Sequence, residues 1–335
     1  MRKLFRISTL ALAAVACFAL LTGTAFAQVT VGQLTPEANP LTECDYSAPY
    51  DEFSTSVTSG TSYVVPAPGG ALTSWSTNAG AGTGQLLGLK VIRPSGSGSY
   101  TVVGVDGPRA IAPSVVNTFP VSIPVQAGDL IGLHVPSEFE SSPTACWFEP
   151  SLLDRVGYRE GNQPFGSTFT FEAEDTGWRM NVSASLLPPP TIAGLGTTGG
   201  SVTGGTSVVI TGANFADVKG VNFGTTSATF AVNSEGQITA TAPPSATIAS
   251  VPVSVTTAAG SVTSASTFAY EGCVVPKLNG KKLKAAKKAL GKKDCKTGKV
   301  NKRKGVTGKT GKVIKQNPKP GKVLAPGTKI TIKLG

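Results

Sequence analysis

From Gln28 to Leu187 the chain runs in short apolar–polar alternations rich in Thr, Ser, Val and Gly, and helical periodicity never persists beyond a few turns. Alternation with period two turns one side of each run to a core and the other to water, which is the pattern of a half-buried strand. Strands are expected at residues 61–65, 85–92, 100–105, 121–125, 130–135, 168–173 and 178–184. Turn chemistry separates them at Pro68-Gly69-Gly70, Pro94-Ser95-Gly96, Asp106-Gly107-Pro108 and Ala127-Gly128-Asp129. About 160 residues of this kind suffice for one sandwich with a sizeable core. The same alternation returns at smaller scale over 191–270, so the expected fold class is mainly β and multidomain.

Leu187-Pro188-Pro189-Pro190 is a stiff run that no sheet interior tolerates. It sets the first of the expected boundaries: a signal segment at 1–27, a β-sandwich at 28–187, a smaller β-sandwich at 188–271 and a basic module at 272–335. Within the first sandwich, the run from Val121 to Leu133 resembles the edge–turn–strand signature of jelly-roll domains. It favours a jelly-roll-like sandwich over an immunoglobulin topology.

Charge divides the chain more sharply than its net +11 suggests. Residues 273–335 hold 20 Lys and Arg against one acid, Asp294. Residues 28–272 hold 7 basic against 18 acidic side chains. A folded block of lysines addresses a polyanion or simply solubilises a surface. The block lacks interleaved aromatics, since no Phe, Tyr or Trp follows Tyr270. That pattern argues against nucleic acid, which is gripped by cations together with stacking rings.

The N-terminus is basic at Arg2, Lys3 and Arg6, apolar from Ile7 to Leu21, and ends in Ala25-Phe26-Ala27 before Gln28. This is the pattern of a cleaved secretory signal, and no later stretch is long and apolar enough to span a bilayer. Cys17 offers lipidation as an alternative, although Ala14-Val15-Ala16 lacks the usual leucine three positions before the cysteine. Removing Cys17 leaves four cysteines, and pairing within domains, Cys44 with Cys146 and Cys273 with Cys295, is the natural connectivity of three. Neither pair has zinc-ligand spacing. The chain is expected to be secreted and extracellular.

Signals for catalysis are sparse. The single histidine, His134, sits in an apolar strand and reads as a half-buried structural residue. No nucleophile elbow or phosphate-binding glycine loop stands between a strand and a helix. Glu138 with Glu140, and Glu172 with Glu174, would share a face if extended; such pairs could hold Ca2+ or hydrolyse a glycoside. Edge solubility is the plainer reading, and no cofactor other than Ca2+ is suggested. Trp75 and Trp178 are candidate ligand aromatics for a carbohydrate, while Trp147 is expected to pack on the disulfide of its neighbour Cys146.

Two stretches carry family resemblances. Gly204 to Phe215, Val221-Asn222-Phe223-Gly224, Ile238 to Pro243 and Phe268-Ala269-Tyr270 resemble the IPT/TIG family of immunoglobulin-like domains. Gly212 and Asn214 suit a tight turn with positive φ, and Phe215 and Phe223 suit a core. In that family the domain is most often a spacer or an interaction module. In the tail, Leu283, Ala286 and Leu290 predict an amphipathic helix over 281–292, and alternation predicts strands over 311–316 and 328–334. With Val275-Pro276, Asn317-Pro318-Lys319-Pro320-Gly321 and Pro326-Gly327, this order resembles the PASTA domain.

The PASTA resemblance implies a wall-binding module whose partners are peptidoglycan or anionic wall polymers. The residues it assigns, by charge and position, are Lys281, Lys284, Lys288, Lys292, Lys312, Lys315 and Lys319. The expected function is therefore a non-enzymatic, secreted, wall-associated binding or adhesion protein. Its first domain would take an unknown carbohydrate or protein ligand. The competing expectation is a wall-targeted polysaccharide-degrading enzyme with its active site in residues 28–187.

Overall fold

The computed structural model describes residues 28–35, 42–44, 49–136 and 144–335. The expectations placed on residues 1–27, on Cys17 and on Glu138 and Glu140 lie outside the described residues.

The first fourteen strands in chain order are β1 (Val29–Gln33), β2 (Thr42–Cys44), β3 (Tyr50–Ser56), β4 (Gly70–Asn78), β5 (Leu86–Gly96), β6 (Ser99–Ala110) and β7 (Val116–Val125). They continue with β8 (Leu130–Val135), β9 (Thr144–Phe148), β10 (Arg155–Glu160), β11 (Thr168–Thr170), β12 (Ala173–Thr176), β13 (Arg179–Met180) and β14 (Val182–Leu187). One sheet has the order β1-β14-β4-β7 and the other β11-β6-β5-β8-β3-β10-β12. If β1, β3, β4, β5, β6, β7, β8 and β14 are counted as the first to eighth main strands, the sheets interleave as 1-8-3-6 and 5-4-7-2. That is the nested Greek-key order of a jelly roll. Strands β9 to β13 lie between its last two main strands: β10 and β12 extend the β3 edge, β11 extends the β6 edge, and β13, β9 and β2 form a small third sheet.

Alternation decides which side of each strand is dry. On β5, Leu87, Leu89 and Val91 join Trp75, Ile131, Leu133, Val182 and Leu186 in the core between the sheets. The other side of the seven-stranded sheet is not solvent-facing throughout. Phe53, Ile92, Val102, Leu130 and Phe169 form a second core there, beneath the segment that follows β10. The Cys44–Cys146 disulfide, with Cα atoms 5.4 Å apart, ties β2 to β9.

The second unit comprises β15 (Thr191–Leu195), β16 (Gly199–Ser201), β17 (Ser207–Ala213), β18 (Val218–Phe223), β19 (Thr226–Ser227), β20 (Thr229–Ser234), β21 (Gln237–Thr241), β22 (Ser250–Thr257) and β23 (Gly260–Glu271). Its sheets, β15-β17-β21-β20 and β16-β23-β22-β18-β19, close on Val208, Ile210, Phe215, Phe223, Val255 and Phe268. Asn214 has φ +59°, as a tight turn requires. Gly212 does not have positive φ. It lies within β17, and a Cβ there would come within 1.9 Å of the Thr191 carbonyl oxygen, so its role is close approach to β15.

The tail contains β24 (Cys273–Val274), α1 (Leu283–Gly291), β25 (Lys296–Lys302), β26 (Val313–Asn317), β27 (Val323–Leu324) and β28 (Lys329–Leu334). Strand β28 lies between β25, to which it is parallel, and β26, to which it is antiparallel. Ala286 and Leu290 of α1 pack with Ile330, Ile332 and Leu334 of β28 and with Cys273 and Cys295, whose Cα atoms are 4.8 Å apart across the disulfide. The expected helix is confirmed in shortened form, while β25 is a strand its lysine- and glycine-rich sequence did not announce.

Candidate functional site

All 20 Lys and Arg side chains of residues 272–335 are exposed. Among the described residues every ion pair lies between Asp51 and Lys219, so none of these cations has an acidic partner. The fold sorts them onto two sides of the tail. Lys281 precedes α1, and Lys284 and Lys288 lie on it. Lys284 joins Lys287 and Lys309 around a shallow groove of about 570 Å³ with Leu283 in its lining. Lys292 caps the C-terminal end of α1, where positive charge complements the helix dipole. Lys312 is brought to the other end of the helix by a β-bridge to Lys282.

The second lysine face is the outer side of the three-stranded sheet. The alternation of β28 buries Ile330, Ile332 and Leu334 and turns Lys329, Thr331 and Lys333 outward. Lys315 is the cross-strand partner of Lys333, and Lys296 that of Lys329. Like charges placed opposite each other in a sheet are destabilising. A bound anion would relieve both repulsions. Lys319 is exposed in the turn after β26. The lysines picked out by sequence are therefore not one cluster. Lys281, Lys284 and Lys312 lie around the start of α1, Lys315 belongs to the sheet, and Lys287 and Lys309 complete the groove without having been singled out.

At the N-terminal end of α1, Lys282 occupies the cap position with extended backbone (φ −65°, ψ 153°) and makes no capping hydrogen bond. No acidic side chain sits in the first turn. Cations at a helix N-terminus oppose the dipole. The sequence thus keeps positive charge where helix stability alone would favour Asp or Ser.

A second site lies in the jelly roll. Outward-facing side chains of three adjacent strands meet under the segment after β10: Asp51 from β3, His134 from β8 and Lys90 from β5. Asp51 is fully buried, and Lys90 and His134 are each 4% exposed. His134 Nδ1 lies 2.7 Å from Asp51 Oδ1, and Lys90 Nζ lies 3.4 Å from Asp51 Oδ2. Lys90 Nζ also donates to Asn162 Oδ1 at 2.7 Å and to the Gln163 carbonyl, while the Gln163 N–H donates to Asp51 Oδ2 at 2.8 Å. Burial pushes the Lys90 ammonium below the usual lysine range, against the opposing pull of Asp51. A cavity of about 260 Å³ opens beside the group, lined by Lys90, His134, Asn162, Asp106 and Phe165. Asp106 accepts hydrogen bonds from Arg109 and Trp75, and the Arg109 guanidinium holds its carboxyl below the usual carboxylate range.

Several candidates of the first domain take other places. Trp75 is fully buried in the core between the sheets and cannot offer a ring to a ligand. Trp178 is half-buried, with its ring centroid 5.4 Å from that of Trp147. Trp147 donates its indole N–H to Glu52 at 2.8 Å. Among the described residues, Phe165, 69% exposed at the cavity, is the aromatic ring most open to solvent. Glu172 and Glu174 each face an arginine, Arg159 at 3.2 Å and Arg155 at 3.5 Å, in exposed ion pairs. No group of three or more His, Cys, Asp or Glu side chains converges on a metal position among the described residues. No helix among them is long and apolar enough to cross a membrane.

The IPT/TIG domain family matches residues 190–270 and the PASTA domain family matches residues 274–335. The residues before them have no family assignment. No curated protein matches the chain. Among solved structures, the full extracellular region of plexin A4 aligns with 66% of this chain and 18% of its own length, at 16% identity and a TM-score of 0.25. The two matched domains are binding or adhesion-type modules rather than catalytic ones.

Proposed function

We propose that this chain, with an IPT/TIG domain followed by a PASTA domain, is a secreted cell-wall-associated binding protein. Its tail holds peptidoglycan or anionic wall polymers, and its jelly roll is displayed to an external carbohydrate or protein ligand. The observation that carries this reading is the exposed set of 20 cations, none of them in an ion pair and with Asp294 the one acid among them, on a folded, disulfide-tied module. Two disulfides fit an oxidising compartment outside the cytosol. The IPT/TIG domain acts as the spacer between anchor and display domain. Of the carboxylates that an enzymatic reading would use, Glu172 and Glu174 each face an arginine, which favours binding over turnover at that pair. On the display domain, Phe165 and the half-buried Trp178 are the rings offered to a ligand.

Co-sedimentation of the chain with purified wall sacculi, before and after removal of their anionic polymers and across a salt series, tests the anchor. Retention on stripped sacculi at high salt identifies peptidoglycan recognition. Retention that needs the anionic polymers and falls with salt identifies a charge anchor, because exposed pairs are screened within about 10 Å at 0.1 M salt. Failure to sediment under any condition refutes the proposal.

A further inference from the structure

The buried group beneath the segment after β10 has more than a packing role open to it. A lysine amine and a carboxylate are held together away from bulk water, and the amine donates to the carboxamide of Asn162, an exposed residue that lines the adjoining cavity. Lys90 is fixed on β5, and Asn162 is fixed by the Gln163 N–H bond to Asp51. Nζ stands 2.7 Å from Asn162 Oδ1. With a carbonyl bond of about 1.2 Å, Asn162 Cγ is within about 4 Å of Nζ, near the separation at which bound groups react. A desolvated lysine loses its proton more readily than an exposed one, and the adjoining carboxylate is placed to take it.

We propose that Lys90 and Asn162 condense to an intramolecular amide cross-link, with Asp51 as the proton-handling carboxylate. The Lys90 ammonium passes a proton to Asp51, and the neutral amine attacks Asn162 Cγ. Asp51 returns that proton to the departing carboxamide nitrogen, and the attacking nitrogen sheds its second proton through Asp51 to the freed ammonia, which leaves as ammonium. One C–N bond forms between Nζ and Cγ, and the Cγ–Nδ2 bond breaks. Nothing is oxidised or reduced, and one ammonia leaves for each cross-link, carrying the ammonium's extra proton. The cavity lined by Lys90, His134 and Asn162 opens a path for it to leave. His134, bonded to the other oxygen of Asp51, is a positioning residue. The product would staple the segment after β10 to the centre of the seven-stranded sheet, joining residues 72 apart in sequence. Such a bond suits a domain displayed outside the cell and pulled through its neighbours.

The test is the mass and peptide map of the secreted chain after reduction and denaturation. The expected result is a deficit of one ammonia located in a branched peptide that joins Lys90 to Asn162, with no tryptic cleavage after Lys90. Location matters, because cyclisation of an N-terminal Gln28 also releases ammonia. The branched peptide is expected to disappear in Asn162→Ala and in Asp51→Ala. A wild-type map in which trypsin cleaves after Lys90 and Asn162 keeps its full mass overturns the proposal, whatever the variants do. Full cross-linking in Asp51→Ala overturns the role given to Asp51.

Discussion

Removing the tail disulfide separates the fold of the basic tail module from its charge. Cys273 and Cys295 are 22 residues apart and both are buried in the small core. Closing a loop of that length contributes about 3 kcal/mol on the chain-entropy account. A unit of roughly 60 residues has only about 3–9 kcal/mol of stability at ordinary values per residue. Cys273→Ala with Cys295→Ala therefore removes a third or more of the total. Tryptophan fluorescence does not see this, since all three tryptophans precede the tail. Amide hydrogen exchange of α1 and β28 does, and their protection is expected to fall by roughly a hundredfold, about 1.4 kcal/mol per decade. The net charge is unchanged by the substitution. Loss of wall retention in the double variant would then show that the lysines act from a folded surface. Protection within threefold of wild type would refute the assignment of the disulfide as the tail's main covalent support.

Other consequences follow from particular contacts. Asp154 and Arg179 form a buried ion pair in which Asp154 Oδ1 also accepts from the Thr58 backbone N–H at 2.7 Å and from its hydroxyl at 2.9 Å. Asp154→Ala is expected to cost about 3–5 kcal/mol by stranding the guanidinium, read as a lowered unfolding midpoint in tryptophan fluorescence, which reports on this domain alone. Lys282→Asp supplies the missing cap of α1 and should raise tail stability by about 1 kcal/mol, measured by the same exchange experiment. The Asp106 carboxyl is depressed by Arg109, so its contribution is present above its unfolded value, about 3.9, and is lost as pH falls through the lower folded value. In acid denaturation the stability difference between wild type and Arg109→Ala should accordingly be widest above pH ~4 and close below it.

Much of the architecture was legible because period-two alternation survives without tertiary help. Strand β8 coincides with residues 130–135 as expected, and the run from Val121 to Leu133 spans the connection between the two jelly-roll sheets. The triple proline falls between β14 and β15, where no ladder bond is required. Strand β3 was missed because Tyr50-Asp51-Glu52 places acids where a half-buried strand should be apolar. The acids are explained only by their neighbours, since Asp51 meets Lys90 and His134 while Glu52 meets Trp147. Strand β25 is not legible because Lys296 to Lys302 has little apolar content; it pairs in parallel with β28 and only Val300 packs against the tail core.

The candidate sites divide in the same way. Lysine density marked the tail, but only the fold separates a helix face from a sheet face. Trp75 drew notice as a large ring in the sequence, and its register on β4 turns it into the core. Lys90 lies within an apolar run and gives no local sign of a partner 72 residues away. His134 was the single hint, a histidine in a strand of Leu, Ile and Val.

The central claim is that the exposed lysines of the tail hold the wall, and the direct measurement is sacculus affinity of the intact chain against a variant with Lys281, Lys284, Lys288 and Lys292 changed to glutamine. At about 0.2–1 kcal/mol for each exposed contact, affinity should fall roughly fourfold or more, with a shallower salt dependence and unchanged exchange protection in β28. Equal affinity and an equal salt slope for the two proteins would contradict the account and return these lysines to the role of a solvated surface.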